Sequence, residues 1–233
     1  MTSIAIIPAR GGSKRIPRKN IKLFAGKPMV AHSILAAQKS GVFDRIVVST
    51  DDDEIMKIAS EWGAETPFRR PIDLSNDFAS TEDVLVHDLR ALGAQGSRID
   101  FACCIYATAP LIQYEDLQRG FSLLQDFGAT TAFAVTSFDY PIFRALNKND
   151  QGRLGMVWPE YLNSRSQDLP EVFHDAGQFY WMNVAKFLDE KQLFSVNAVP
   201  VPIPRWRVQD IDTLEDWTRA EKLFQLIQSD RHE

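Results

Sequence analysis

The residues best equipped for chemistry follow the first apolar run. Ala9-Arg10-Gly11-Gly12-Ser13-Lys14-Arg15-Ile16-Pro17-Arg18-Lys19-Asn20 holds five Lys/Arg and a Gly-Gly pair in twelve positions. Glycine lets backbone N–H groups approach a ligand closely, successive N–H groups form an anion nest, and cations neutralise phosphate charge. An isolated charge run is more often a solvated turn. Here it follows a strand, where open α/β sheets bind ligands, so the stretch is read as a phosphate site. G-x-x-x-x-G-K-[ST] and G-x-G-x-x-G are both absent, which excludes a P-loop and a dinucleotide fingerprint. A second constellation, Asp210-Ile211-Asp212, precedes a helical pattern. In an extended chain residues two apart face the same way, so both carboxylates can meet one cation. Mg²⁺ accepts a few carboxylates and leaves its other positions to water and substrate phosphates. Asp212 with Glu215 also fits a capping box, which leaves Asp210 unexplained. Ile211 is expected to enter the core.

The elements that position these groups follow from periodicity. Apolar β-branched runs at 4–7, 45–49, 101–106 and 130–136 alternate with helical patterns at 28–39, 52–62, 81–92, 114–127 and 213–228. This order predicts an α/β fold with a mostly parallel, Rossmann-like sheet and helices on both faces. Pro28 suits a first helical turn, and Gly41 and Gly63 suit stops just past helix ends. The alternation fails over 139–170. There the turn cluster Asn147-Lys148-Asn149-Asp150-Gln151-Gly152 separates 143–146 from 153–157, which reads as an inserted β-hairpin. No repeat, low-complexity tract or linker divides the chain, so residues 1–233 are read as one domain carrying that insertion.

Composition narrows the classes. Apolar residues make up 45% and charged residues 24% of 233, which excludes disordered, collagen-like and disulfide-framework proteins. No apolar run reaches the length of a membrane span. A net charge of −5 argues against nucleic acid as a partner. Residues 1–43 hold eight Lys/Arg and no acid, whereas the other 190 hold 18 Lys/Arg against 31 Asp/Glu, a balance of −13. A transit peptide would share that bias, but Pro8, Gly11, Gly12 and Pro17 break the helix it needs. Cys103 and Cys104 are adjacent and point to opposite faces of a strand, which argues against a disulfide and for a reduced, cytoplasmic setting.

The run Ile7-Pro8-Ala9 through Lys19-Asn20 resembles the signature of the cytidylyltransferases that activate nine-carbon acidic sugars, the CMP-sialic acid synthetase family. Val48-Ser49-Thr50-Asp51, Arg70-Pro71, Thr108-Ala109-Pro110 and Asp210-Ile211-Asp212-Thr213 stand in the family's order and spacing, so the resemblance spans nearly the whole chain. It implies a nucleotidyltransferase fold and a homodimer whose inserted hairpin reaches the neighbour's active site. It also implies transfer of CMP from CTP to the anomeric hydroxyl of a nonulosonic acid, with release of pyrophosphate. The implied nucleotide site is Ala9, Arg10, Gly11, Gly12, Ser13, Lys14, Asn20, Arg70 and Ser80. Arg10, Lys14 and Lys19 are the implied catalytic residues, and Asp210 and Asp212 the implied Mg²⁺ ligands. Arg70 presents a planar donor fork suited to cytosine, with Asp77-Phe78-Ala79-Ser80 in the pocket wall. Ser80 also suits capping of the helix that starts at Thr81. His174, beside Asp175, lacks a nucleophilic Ser or Cys arrangement, and His32 and His87 read as structural, so no general base is assigned.

A second signature, Asn163-Ser164-Arg165-Ser166-Gln167-Asp168-Leu169-Pro170 and then residues 173–181, is most similar to the pseudaminic acid branch of that family. Sialic acid members carry Arg-Pro-Asn-Gly where this chain has His174-Asp175-Ala176-Gly177, and a sugar-contacting Gln where it has Tyr106. A change from amide to aromatic suits a sugar with a methyl terminus and two N-acyl groups, because a buried amide without a partner is costly. The implied sugar residues are Tyr106, Arg165, Gln167, Gln178 and Tyr180, with Arg144 and Arg165 acting across the dimer. N-acetylneuraminic or legionaminic acid remains the alternative substrate. A metal-dependent glycosyltransferase built on Asp210-x-Asp212 is the more distant alternative.

Overall fold

The computed structural model describes residues 1–96 and 98–230. The chain begins with β1 (Ser3–Pro8), a short run buried on both sides. Ala5 and Ile7 enter one core layer, and Ile4 and Ile6 the other. After the basic loop come a small ladder, β2 (Leu23–Phe24) with β3 (Lys27–Pro28), and then α1 (Met29–Ser40), β4 (Arg45–Ser49), α2 (Asp53–Glu61) and α3 (Thr81–Ala94). Next are β5 (Phe101–Ile105), α4 (Tyr114–Asp126), β6 (Thr131–Ser137), β7 (Leu146–Lys148) and β8 (Leu154–Met156). The chain closes with β9 (Phe173–Asn183), α5 (Val184–Glu190), β10 (Ala198–Pro202) and α6 (Leu214–Asp230).

Six strands form the central sheet in the order β10-β6-β9-β5-β1-β4. β1 runs parallel to β4 and β5, and β6 parallel to β10, whereas β9 runs antiparallel to both its neighbours. Apolar residues of α1, α2 and α4 cover one face (Ile34, Ile55, Leu117), and those of α3 and α5 the other (Leu89, Phe187). The expected mostly parallel sheet with helices on both faces is therefore present. Gly41 follows α1 with φ +66°, and Gly63 lies just past α2 with φ +87°, left-handed stops that favour glycine. Cys103 and Cys104 are free, buried and on opposite core layers. Among the described residues no helix is long and apolar enough to cross a membrane.

Two strands of the central sheet were not expected from the sequence. β10 reads Ala-Val-Pro-Val-Pro, and its prolines argue against a strand; they are tolerated because β10 lies at the sheet edge. β9 begins with exposed Phe173-His174 and carries Gly177 at φ +60° inside it. Its pairing with β6 passes from Phe133↔Tyr180 to Val135↔Asp175, two steps on one strand against five on the other. Such a bulge bends a strand and re-aims its side chains. The inserted hairpin is present as β7 and β8, paired Leu146↔Met156 to Lys148↔Leu154, while Ile142–Arg144 forms a 3-10 turn in place of strand.

Candidate active site

The basic loop leaves the carboxyl end of β1 and is anchored from several directions. Ala9 is buried and donates its N–H to the Ser49 carbonyl at 2.9 Å, so it seats the loop. Arg18 adopts φ +55° and its guanidinium bonds both Asp52 oxygens and Glu54. Asp52 also caps α2 by accepting from the N–H groups of Glu54 and Ile55 at 3.0 Å. The Arg18 hydrogen bond, helped by those backbone donors, holds the Asp52 carboxyl down at about 2. Gly11 is needed where the loop passes this cap, since a Cβ there would sit 2.7 Å from Asp52 Oδ2. Its N–H is donated to Asp51 Oδ1 at 2.9 Å, so the expected anion nest does not include the Gly11 amide. Neither Gly11 nor Gly12 lines either of the two cavities at the site.

A cavity of about 620 Å³ opens beside the loop. Arg10, Ser13, Lys14, Arg15, Lys19, Asn20, Arg70, Ser80, Tyr106 and Asp212 all contribute to its wall. Asn20 is buried and donates Nδ2 to the Arg10 carbonyl at 2.9 Å, which fixes the loop's return. Arg70 is also buried; burial pushes its guanidinium pKa down, with Asp88 and Asp51 opposing. Its Nε donates to Ser75 Oγ at 3.1 Å. Ser80 caps α3 through the Asp83 N–H at 3.1 Å and still lines the cavity, so both expected roles fall on one residue. Sequence reasoning put Asp77 in this wall without its partners. Arg10 Nη1 lies 2.8 Å from Asp77 Oδ1, and Lys14 Nζ lies 2.5 Å from Oδ2. Lys14 first and Arg10 second hold the Asp77 pKa below the usual carboxylate range.

The two late aspartates sit where this cavity meets a second one. Asp212 lines the first, and Asp210 lines a neighbouring cavity of about 720 Å³. Ile211 between them is fully buried with Ile16, Phe24 and Trp217, so the apolar residue anchors this irregular segment and the flanking acids face outward. The cap of α6 is not the expected Asp212–Glu215 box. Asp216 Oδ2 accepts from the N–H groups of Asp212 and Thr213 and from Thr213 Oγ1, and Thr213 Oγ1 accepts the Asp216 N–H. The Asp212 carboxylate is thereby left to the cavity, 2.8 Å from Arg15 Nη1 and 3.6 Å from Lys19 Nζ. Lys19 Nζ also donates to the Ile211 carbonyl at 2.6 Å. Partial desolvation, then the nearby Asp212 charge, raises the Asp210 carboxyl. Among the described residues no three His, Cys, Asp or Glu converge on a metal position. The pair supplies hard oxygens alone, which suits Mg²⁺ completed by water and phosphate.

Residues expected on the sugar side divide. Tyr106 lines both cavities, its hydroxyl 3.3 Å from Thr81 Oγ1. Tyr180 is buried in the core and donates its hydroxyl to Asp175 Oδ2 at 2.5 Å, so it positions an acid of the second cavity without lining it. Gln178 is buried too; its Nε2 donates to the Arg207 carbonyl at 2.6 Å, its Oε1 has no hydrogen-bond partner among the described residues, and it lines neither cavity. Arg165 and Gln167 lie off both cavities in an exposed 3-10 turn, with Arg165 paired to Asp168 at 2.6 Å. In their place the β9 bulge presents His174, Asp175 and Gly177, and the segment after β10 presents Arg205. None of these had a repeating spacing that would have revealed it.

Comparison with known proteins identifies the family. Residues 4–200 match the family described as Cytidylyltransferase. Over 226 residues the chain is 42% identical to the pseudaminic acid cytidylyltransferase of Campylobacter jejuni, covering 97% of each protein. It is 30% identical over 236 residues to the CMP-N,N'-diacetyllegionaminic acid synthase of Legionella pneumophila, covering 98% of each. A solved CMP:2-keto-3-deoxy-manno-octonic acid synthetase complexed with CTP superposes with a TM-score of 0.69 at 18% identity, covering 99% of this chain and 100% of that one, a likeness of fold. By match and by full-length relatedness, this chain belongs to the cytidylyltransferase family.

Proposed function

We propose that the protein transfers CMP from CTP to the anomeric hydroxyl of pseudaminic acid, giving CMP-pseudaminate and pyrophosphate. The observation that carries the reading is the meeting of two cavities at Asp210 and Asp212, one of them walled by Arg10, Lys14, Arg15 and Lys19. The sugar follows from Tyr106 in the shared wall and from the 42% identical relative. Arg70 and Ser80 read cytosine, Asn20 holds the loop, and Arg10, Ser13 and Lys14 take the triphosphate. The anomeric oxygen forms a bond to the α-phosphorus, and the bond to the β-phosphate oxygen breaks with its electrons leaving on pyrophosphate. Charge grows on phosphate oxygens in this step, so fixed cations are the main contribution of the chain. Lys19 stabilises the α-phosphate and the departing group. Asp210 and Asp212 would hold Mg²⁺, which when bound neutralises phosphate charge and makes the attacking hydroxyl more acidic.

The reading includes a homodimer in the cytoplasm. Tyr140 (84% exposed), Leu146 (57%) and Leu154 (69%) put large apolar surface on the 139–170 insertion, as interfaces do. Arg144 and Arg165 lie there, outside both cavities of their own chain. Free buried Cys103 and Cys104 support a reducing compartment. The test of the reaction is incubation with CTP, Mg²⁺ and pseudaminic, legionaminic or N-acetylneuraminic acid, with mass analysis of the products. CMP-pseudaminate should dominate. Equal turnover of N-acetylneuraminate would overturn the sugar assignment, and no CMP-linked product from any acid would overturn the reaction.

A further inference from the structure

Deepening that reading and resting on it, we propose that Arg219 binds the carboxylate of the acidic sugar. The second cavity is lined by three aspartates, Asp139, Asp175 and Asp210, and an anionic substrate entering it needs a cation. Three basic side chains line it: His174, Arg205 and Arg219. Arg205 is committed, with Nη1 donating to the Phe138 carbonyl at 3.0 Å and Nε 3.3 Å from Asp139 Oδ1. His174 Nδ1 lies 2.8 Å from the Asp175 carbonyl oxygen. Among the described residues Arg219 makes no hydrogen bond or ion pair. Its electrostatic neighbour Asp216 sits one helical turn earlier, and that carboxylate is taken up by the α6 cap, accepting from Asp212, Thr213 and Gln209. The guanidinium is thus open to an incoming carboxylate, which it can bind through two parallel N–H donors.

The position also makes chemical sense. In a nonulosonic acid the carboxyl group and the anomeric hydroxyl are bonded to the same carbon. Arg219 shares the cavity with Asp210, and Asp212, two residues on, faces the nucleotide cavity. A carboxylate held by Arg219 therefore orients the anomeric oxygen toward the boundary where the α-phosphate must lie, which is how positioning accelerates a two-substrate reaction. Arg219 is exposed on α6, and among the described residues its electrostatic neighbour is Asp216, already engaged by the α6 cap.

The experiment measures KM for sugar and for CTP separately in Arg219→Ala and Arg219→Lys, using whichever nonulosonic acid the wild type turns over and the same acid as its 1-carboxamide. Arg219→Ala should raise the sugar KM about 10- to 100-fold, the loss expected for a charge-assisted hydrogen-bond pair, with the CTP KM within about twofold. Its preference for acid over carboxamide should collapse toward unity, and Arg219→Lys should recover part of it. An unchanged sugar KM, an unchanged acid-to-amide preference, or a CTP KM that rises in step with the sugar's would overturn the proposal. So would the same effects appearing in Arg165→Ala and not in Arg219→Ala, which would place the carboxylate on the insertion. A wild type that makes no CMP-linked product with any nonulosonic acid refutes the underlying reaction and this assignment together, an outcome distinct from all the others.

Discussion

Replacing Lys19 tests the link between the basic loop and the aspartate pair. Its side chain is only 17% exposed, it lines the nucleotide cavity, and its ammonium touches both the Ile211 carbonyl at 2.6 Å and Asp212 Oδ1 at 3.6 Å. At 3.6 Å and an effective dielectric of about 20, the attraction to Asp212 is about 5 kcal/mol, most of it offset by desolvation and side-chain ordering. The hydrogen bond to the carbonyl adds about 1.5–3 kcal/mol, as bonds to charged groups do. Lys19→Met keeps the aliphatic stem and removes the charge. The fold should therefore lose about 2 kcal/mol, a few degrees in Tm for a chain this long. The catalytic loss should be larger. Removing one fixed donor aimed at growing charge costs roughly 3–4 kcal/mol, so kcat/KM should fall about 100- to 1000-fold. Pyrophosphate release at varied, sub-saturating CTP and sugar reads kcat/KM, and thermal melting followed by circular dichroism reads the stability change. A folded Lys19→Met enzyme that keeps kcat/KM within about threefold would refute the assignment. In a double-mutant cycle Lys19→Met and Asp212→Asn should be non-additive, because the two groups share one site.

Other outcomes follow from the same geometry. Gly120→Ala should destabilise: the helix gains about 1 kcal/mol of propensity, but the new Cβ lies 2.8 Å from Trp181 Cδ1 and 3.0 Å from Phe179 Cε2, and overpacking costs about 1–3 kcal/mol. A higher melting temperature in that variant would contradict the packing. Asp52 has its carboxyl lowered from 3.8 to about 2, so its stabilising effect is complete above the unfolded value and is lost as pH falls through about 2. Asp52→Asn keeps a good cap and loses the Arg18 pair, so urea unfolding should show it about 1–2 kcal/mol less stable than wild type near neutrality, with the gap closing toward about pH 2. A gap independent of pH would exclude that ion pair as the cause. Tyr106→Gln, which exchanges the ring shared by both cavities for an amide, should shift selectivity from pseudaminate toward N-acetylneuraminate in paired kinetics; an unchanged ratio would remove Tyr106 from sugar recognition.

The sequence was most legible where local chemistry decides local structure. The apolar run of β1, the turn residues Gly41 and Gly63, and the cap at Ser80 each obey a rule that operates within a few residues. The Asp210-x-Asp212 spacing was legible for the same reason, since alternation alone buries Ile211 and turns its neighbours outward. The second cavity was not. It depends on β9 running antiparallel into a parallel sheet and on the bulge between the Tyr180 and Asp175 pairings, which carries Gly177 and re-aims Asp175, and both are decided by pairing with strands far away in the chain. The α6 cap was misplaced by one residue because Asp212-x-x-Glu215 and Thr213-x-x-Asp216 are equally good patterns, and only the burial of Ile211 selects the second. Arg219 carries no motif, and a lone arginine in a polar helix reads like any solvated charge.

The acid-free first 43 residues raise a problem that folding itself resolves. A loop of like charges cannot hold one shape without counterions, and here the acids come from three later segments. Asp52 and Glu54 take Arg18, Asp77 takes Arg10 and Lys14, and Asp212 takes Arg15 and Lys19. These pairs are not equivalent. Asp52 is bound by Arg18 and by two backbone donors of its own helix, so its carboxylate cannot swing away from Arg18 without leaving the α2 cap. Asp77 is 40% exposed, and its partner Lys14 is 80% exposed. An exposed pair adds little to stability and exchanges readily for a stronger partner. A triphosphate carries more charge than one carboxylate, and for it to reach Arg10 and Lys14 the Asp77 carboxylate must give way. The same loop thus has a fixed end, held by Asp52, and an exchangeable end, held by Asp77, and the nucleotide cavity opens on the exchangeable one.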